Sequence, residues 1–174
     1  PPPPPPPFQA EDGIRDVLGG LVGSEMCIRD STHCASLISP VDKEIINRMK
    51  TFGYEIGMAF QIVDDVLDFT GKQTMVGKPV ASDLRQGLVT LPAIYFAESY
   101  PGDENLKAYL NGFAEDVEMN QLVESIRESG AIQNAMEEAK AFTERGIKAI
   151  AGLPDNKEHR ALTELAEYIV DREI

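Results

Sequence analysis

No stretch of about eighteen apolar residues occurs in the 174-residue chain, so no segment is expected to cross a membrane as a helix. Lysine and arginine nowhere gather into a block, and the formal net charge is −13. A chain of that sign disfavours nucleic acid or an anionic membrane as its main partner. Cysteine is scarce: Cys27 and Cys34 match neither a convincing disulfide pair, nor a zinc pattern, nor a redox CxxC. A reducing cytosol is the expected compartment. Strand-like alternation is missing too, and the segments differ too much in length for a solenoid. What is left is enough chain for one domain with a real core.

The first 31 residues read unlike the rest. "PPPPPPPF" is a homopolymer of the kind a translated poly-C read gives, and composition alone would accept a disordered proline-rich tail. "QAEDGIRD" (Gln9 to Asp16) resembles the in-frame translation of a sequencing-library adapter. "LVGSEMCIRDS" (Leu21 to Ser31) resembles the transposase end used in the same libraries, and Val17 to Gly20 fall where an index tag would sit. Residues 1–31 are therefore expected to be foreign to the protein, disordered or non-native, and are set aside in the fold reading. Their removal leaves 24 acidic against 14 basic residues, a net charge of −10, and makes Cys34 a lone thiol. The protein's own sequence is then expected to start abruptly near Thr32, inside a longer coding frame.

Residues 32–174 read as one helical domain. "SPVD" offers Ser39 as N-cap, Pro40 at the first helical position and Asp42 three residues after the cap. No proline follows until Pro79, and Gly71 is a natural stop, which predicts one helix of roughly thirty residues. Gly53, Gly57 and Ala59 inside it suggest close approach by a neighbouring helix rather than a break. After a Gly71–Ser82 loop, helices are predicted from about Thr90 through "LPAIYFAESY", and over about 103–114, 117–129, 131–152 and 156–172. Asp103 and Asp155 are the expected caps, Gly130 and Gly152 the expected stops. The fold class is all-α, a helical bundle.

The long helix carries an anomaly. At about 100° per residue, Gln61, Asp64, Asp65 and Asp68 fall within an arc of roughly 100°. An acidic face turned to water is the ordinary reading of such a helix. Yet Asp64 with Asp68 and Asp65 with Asp68 are like-charge neighbours, each pair costing about 0.2–0.5 kcal/mol. They also lie near the helix C-terminus, where the macrodipole disfavours negative charge. The nearest cation, Lys72, lies just beyond Gly71. Stacked carboxylates without partners suit a hard divalent cation, and magnesium takes one or two of them plus phosphate oxygens and water. Lys72 and Lys78 in the following loop, and Asp83 and Arg85 if that loop folds back, complete a set suited to holding a diphosphate.

The stretch "GMAFQIVDDVLDFTGKQTMVGKPVASDLRQGLVTLP" resembles the second aspartate-rich region of the trans-polyprenyl diphosphate synthases. That family's order is FQ, DDxxD, a GKP loop, DLxxG and TLP, and "LAEYIVDREI" looks like its closing helix. The resemblance implies the C-terminal half of an isoprenoid-synthase-type bundle whose N-terminal helices are missing. It implies a cavity in which two aspartate motifs hold three Mg2+ ions on an allylic diphosphate. The diphosphate leaves, isopentenyl diphosphate adds head to tail to the allylic cation, and a proton is lost. By position, Asp64 is the expected main metal ligand, with Asp68 and Asp65 supporting it directly or through water. Gln61 is expected to face the allylic ester oxygen and the cation, Phe60 the isopentenyl side, and Lys78 the diphosphate. Asp83 is expected to act behind the metal's direct ligands.

Leu88 stands where many members carry lysine, which puts one diphosphate contact in doubt. The first aspartate motif, the upstream lysine–threonine pair and the basic residues for isopentenyl diphosphate are not in this chain. The full-length protein is expected to be a Mg2+-dependent prenyltransferase acting as a homodimer, and this chain alone inactive. The alternatives are a non-catalytic subunit of a heteromeric synthase, which the intact "DDVLD" disfavours, and a helical scaffold with a wet acidic face. His159, among charged residues, reads as a solvated side chain, and product length is not legible here.

Overall fold

A computed structural model describes residues 24–71 and 80–172, with side chains from Met26 onward. Eight helices and no strand are found among the described residues: α1 (Ser24–Leu37), α2 (Lys43–Thr70), α3 (Ser82–Arg85), α4 (Leu91–Ser99), α5 (Glu104–Leu110), α6 (Asp116–Glu128), α7 (Ala131–Ile150) and α8 (Lys157–Val170). No helix among them is long and apolar enough to cross a membrane.

The long helix α2 organises the rest. Phe52, Ile56, Ala59, Ile62, Val63, Val66 and Phe69 are buried along it, repeating at three- and four-residue intervals so that one stripe faces inward. α1 and α7 pack along α2 most extensively, with α4 and α8 making smaller contacts. Phe52 to Val66 join Ala135, Met136, Ala139 and Ile150 of α7 and Ala166 and Ile169 of α8 in one core. Beyond Val66 the chain enters a second core, where Phe69 meets Ala81, Leu84, Ala93, Phe96, Leu106 and the inner face of α6.

The predicted close approach is realised at Gly53. A Cβ there would stand 2.8 Å from the Cα of Arg29, so α1 lies backbone to backbone against α2. Gly146 of α7 does the same more softly, since a Cβ there would meet the Ile56 Cδ1 at 2.8 Å. α1 runs without a break through Ser31, so no secondary-structure boundary coincides with the junction expected between residues 31 and 32.

Local chemistry moves two predicted boundaries. α2 starts at Lys43, not at Pro40: its cap is Asp42, whose carboxylate accepts from the Ile45 N–H at 2.9 Å. Ser39 instead donates its hydroxyl to the Ala35 carbonyl and finishes the preceding turn. α8 is capped by Asn156, which accepts from the His159 N–H, while Asp155 pairs with Arg160 at 2.9 Å. Gly71 does stop α2, its N–H donating to the Leu67 carbonyl at 2.7 Å, and Asp103 does cap α5. His159 is not simply solvated: its Nε2 is buried and has no hydrogen-bond partner. Phe96 is buried in the second core, and Tyr95 packs at the edge of both cores.

Candidate metal and diphosphate site

Burial of Ile62, Val63, Val66 and Phe69 turns the other face of α2 outward, and on it stand Gln61, Asp64, Asp65 and Asp68, all half-buried. The helix brings all four to one face, as their spacing predicts. The three carboxylates then meet different surroundings.

Asp68 is fully engaged by the chain that returns from the loop. Its Oδ1 accepts from the Ser82 N–H at 3.1 Å and the Ser82 hydroxyl at 2.8 Å, and its Oδ2 from the Asp83 N–H at 3.1 Å. The Ala81 N–H adds a bond to the Asp68 carbonyl at 2.8 Å. Asp68 thus caps α3 from fourteen residues away and fixes the end of the loop to α2. Holding that connection places Ala81 at φ 55, a left-handed conformation that costs a non-glycine residue about 1–2 kcal/mol. Strain of this kind collects where a fold must hold a segment in place for function.

The consequence of that staple is that Asp83 comes close enough to Asp65 to raise its pKa. Asp65 is pushed up to about 6, chiefly by burial, with the charges of Asp83 and Asp64 adding to the rise. The Gln61 amide, donating to Asp65 Oδ1 at 3.3 Å, and the Leu91 N–H at the start of α4 pull it back only in part. A carboxylate held under such crowding is one that a bound cation would relieve.

Asp64 has a different partner. Arg172, just past the end of α8, donates from Nη1 to Asp64 Oδ1 at 3.0 Å. Burial raises the Asp64 pKa, and the Arg172 charge and hydrogen bond offset part of that rise. The same guanidinium lies over the Phe60 ring, its Cζ 4.4 Å from the centroid. Arg85, expected near the site, turns away: it donates to the Val80 carbonyl at 3.0 Å and to the Asn120 side chain on α6. Leu88 is exposed. Lys72 and Lys78 lie outside the described residues.

Among the described residues, no three acidic, histidine or cysteine side chains converge as a ready cation cage. Asp68 has both oxygens hydrogen-bonded within the chain, while Asp64 and Asp65 remain as hard oxygen donors with Asp83 behind Asp65. Two carboxylates fit magnesium, which completes its shell with water and phosphate oxygens, better than calcium, which takes six to eight ligands. The donor chemistry therefore suits one side of a magnesium–diphosphate site. Two hollows on the surface, one between Phe96, Tyr100 and Ser125 and one beside His159, include none of these aspartates.

Sequence reasoning missed Arg172 and the Leu91 N–H. Arg172 lies 108 residues from Asp64, and no local spacing signals such a pair. The Leu91 contact needed only the recognition that a helix N-terminus at Thr90 offers free N–H groups to a nearby carboxylate.

Comparison with known proteins supplies the wider frame. The family model described as polyprenyl synthetase matches residues 24–126, starting inside the segment expected to be foreign. Heptaprenyl diphosphate synthase component 2 of Geobacillus stearothermophilus is 34% identical over 151 residues, which are 85% of this chain and 46% of that protein. The crystal structure of heptaprenyl diphosphate synthase from Staphylococcus aureus superposes with a TM-score of 0.77 at 32% identity, over 86% of this chain and 47% of that one. A polyprenyl synthase from Caulobacter crescentus, complexed with calcium and isoprenyl diphosphate, also gives 0.77 at 26% identity, over 88% of this chain and 48% of its own. The chain thus spans about half the length of the relatives it matches.

Proposed function

The chain belongs to the polyprenyl synthetase family, and from that membership we propose that the full-length protein condenses an allylic prenyl diphosphate with isopentenyl diphosphate, head to tail, in a Mg2+-dependent reaction. The observation that carries the proposal is the crowding of Asp64, Asp65 and Asp68 on one half-buried face of α2, with Asp83 brought to it by the bonds from Ser82 and Asp83 to Asp68. Such crowding has a chemical use where a divalent cation and a diphosphate are to be held together. The Caulobacter relative, with its calcium and isoprenyl diphosphate, supports the same ligand class.

In this reading Asp64 and Asp65 hold Mg2+, and Asp83 acts behind them. Asp68 belongs to the same motif, and its bonds to Ser82 and Asp83 set where that second carboxylate stands. When bound, the metal supplies charge neutralisation for a departing diphosphate. Gln61, oriented by its bond to Asp65, faces the allylic ester oxygen, Phe60 lines the isopentenyl side, and Lys78 contacts the diphosphate. Half-burial of the aspartate face strengthens each of these electrostatic contacts over its value in bulk water.

The chain alone is proposed to be inactive, because it carries one aspartate motif of the two that the reaction needs. Homodimerisation of the full-length protein and a cytosolic location are parts of the same proposal. A second reading of its assembly follows from the name "component 2" of the Geobacillus relative, which fits a synthase with an unlike partner subunit. Light scattering on the full-length protein distinguishes the two. The activity itself is tested by incorporation of labelled isopentenyl diphosphate into extractable prenyl product. The full-length protein should incorporate label with Mg2+ and not with EDTA, and this chain alone should incorporate none. Elongation by the isolated chain would overturn the half-site reading.

A further inference from the structure

Asp64 is a half-buried carboxylate whose cationic partner among the described residues is Arg172. Side-chain exposures of 18% for Asp64 and 28% for Arg172 mean that both groups have lost much of their hydration. A carboxylate so placed needs a counter-charge, and the guanidinium supplies it at 3.0 Å. Arg172 is held at a second point as well, by the face of Phe60. Phe60 and Asp64 are four residues apart on α2, so the planar guanidinium lies along one stripe, stacking on the first and bonding to the second.

The backbone around Arg172 does not tie this contact to the helix. α8 ends at Val170, and its last helical-type bond runs from the Asp171 N–H to the Glu167 carbonyl. Arg172 can therefore leave without breaking a turn of helix. A divalent cation on Asp64 would bring a double positive charge within a few ångströms of the guanidinium. At that separation the two cations repel strongly in a half-buried site.

Building on the reading of Asp64 as a metal ligand, we propose that Arg172 is a positioning residue that serves as the resident counter-ion of Asp64, so that divalent-cation binding and docking of Asp171 and Arg172 against α2 exclude each other. Before the cation binds, Arg172 keeps the Asp64 carboxylate paired and pointed along the Phe60 stripe. Once it binds, Arg172 is displaced and comes free of α2 together with Asp171. The site thereby couples its charge state to the order of a segment 108 residues away in sequence.

The test uses the full-length protein without substrate and Mn2+ as the probe. Calorimetric titration should show Arg172→Ala binding Mn2+ about threefold to tenfold more tightly than wild type, as removal of a competitor requires. Arg172→Gln, close in shape and neutral, should behave alike, while Arg172→Lys, which keeps charge without planar stacking, should fall between. Hydrogen exchange in wild type should quicken over residues 165–172 on Mn2+ addition. Unchanged or weaker Mn2+ binding in both neutral variants would overturn the proposal, as would slower exchange in that segment. The underlying site reading fails separately: if Asp64→Ala leaves Mn2+ binding and prenyl elongation intact, Asp64 is no metal ligand. If Asp64→Ala abolishes both and the Arg172 variants bind as wild type, only the competition is refuted.

Discussion

The two halves of α2 are built from the same helix and put to opposite uses. From Lys43 to Ala59 the helix is a packing element: Gly53 admits the α1 backbone, Ile56 packs against Gly146, and Glu55 pairs with Arg145 at 2.8 Å. From Phe60 to Thr70 one face is core, while the other carries three carboxylates, of which burial raises the pKa of Asp64 and Asp65 and neighbouring charge adds to the rise at Asp65. The amino-terminal half pairs Arg48 with Glu44 and Glu55 with Arg145, so each of these charges is matched by an opposite one. The carboxyl-terminal half breaks the charge rule on one face and keeps the packing rule on the other. A helix that tolerates such a conflict on a single face points to a ligand as the missing partner.

Substitutions can break this contrast in graded ways. Phe69→Ala empties a fully buried position where the acidic half meets the second core, and should lower unfolding free energy by about 3–5 kcal/mol in urea titrations. Gly53→Ala forces a methyl against the Arg29 backbone and should cost about 2–3 kcal/mol, despite the helix propensity that alanine adds. That variant also probes α1 directly, because the penalty exists only if residues 28–32 pack as the structure places them.

Asp65→Asn should do the reverse and stabilise the metal-free protein at neutral pH by about 1–2 kcal/mol, since it removes a charge that burial disfavours. The sign with pH follows. The folded pKa of about 6 lies above the ordinary 3.8, so the neutral acid's advantage is fully present below about pH 4 and lost as pH rises through 6. Melting temperatures of wild type and Asp65→Asn should therefore converge in acid and separate at neutral pH. Gly146→Ala is the mildest change: the methyl meets side-chain atoms alone, the Ile56 Cδ1 and Cγ1 and, at 3.4 Å, the Glu55 Cβ, and stability should stay within about 1 kcal/mol of wild type.

How much of this could be read in advance divides along the same line. The all-α class, the span of α2 to within a few residues, and α4 to α8 followed from apolar spacing, glycine stops and caps, because these are local signals. The identity of the α2 cap did not, since Ser39 and Asp42 are both good cap residues and only the route of the preceding turn decides between them. α3 was missed because its four residues are ordered by Asp68, a contact across fourteen residues. Residues 24–31 of α1 were set aside for their resemblance to a sequencing-library end, yet Gly53 shows how closely that part of the helix packs.

The candidate site was legible as a set of residues and not as an arrangement. Spacing puts Gln61, Asp64, Asp65 and Asp68 on one face. It is silent on which carboxylate is engaged by the backbone, which is crowded and which is ion-paired. Those differences come from α3, α4 and the segment after α8, each fixed by tertiary contact.

The central claim is that the acidic face of α2 belongs to a catalytic metal–diphosphate site while the helix's other half is structural. The most direct test compares Asp64→Ala with Glu55→Ala in the full-length protein, by incorporation of labelled isopentenyl diphosphate and by thermal melting. Asp64→Ala should lose turnover by several orders of magnitude and still melt as a folded protein. Glu55→Ala should keep its turnover and lose about 1 kcal/mol or less from the broken pair with Arg145. Elongation by Asp64→Ala at the wild-type rate would contradict the account.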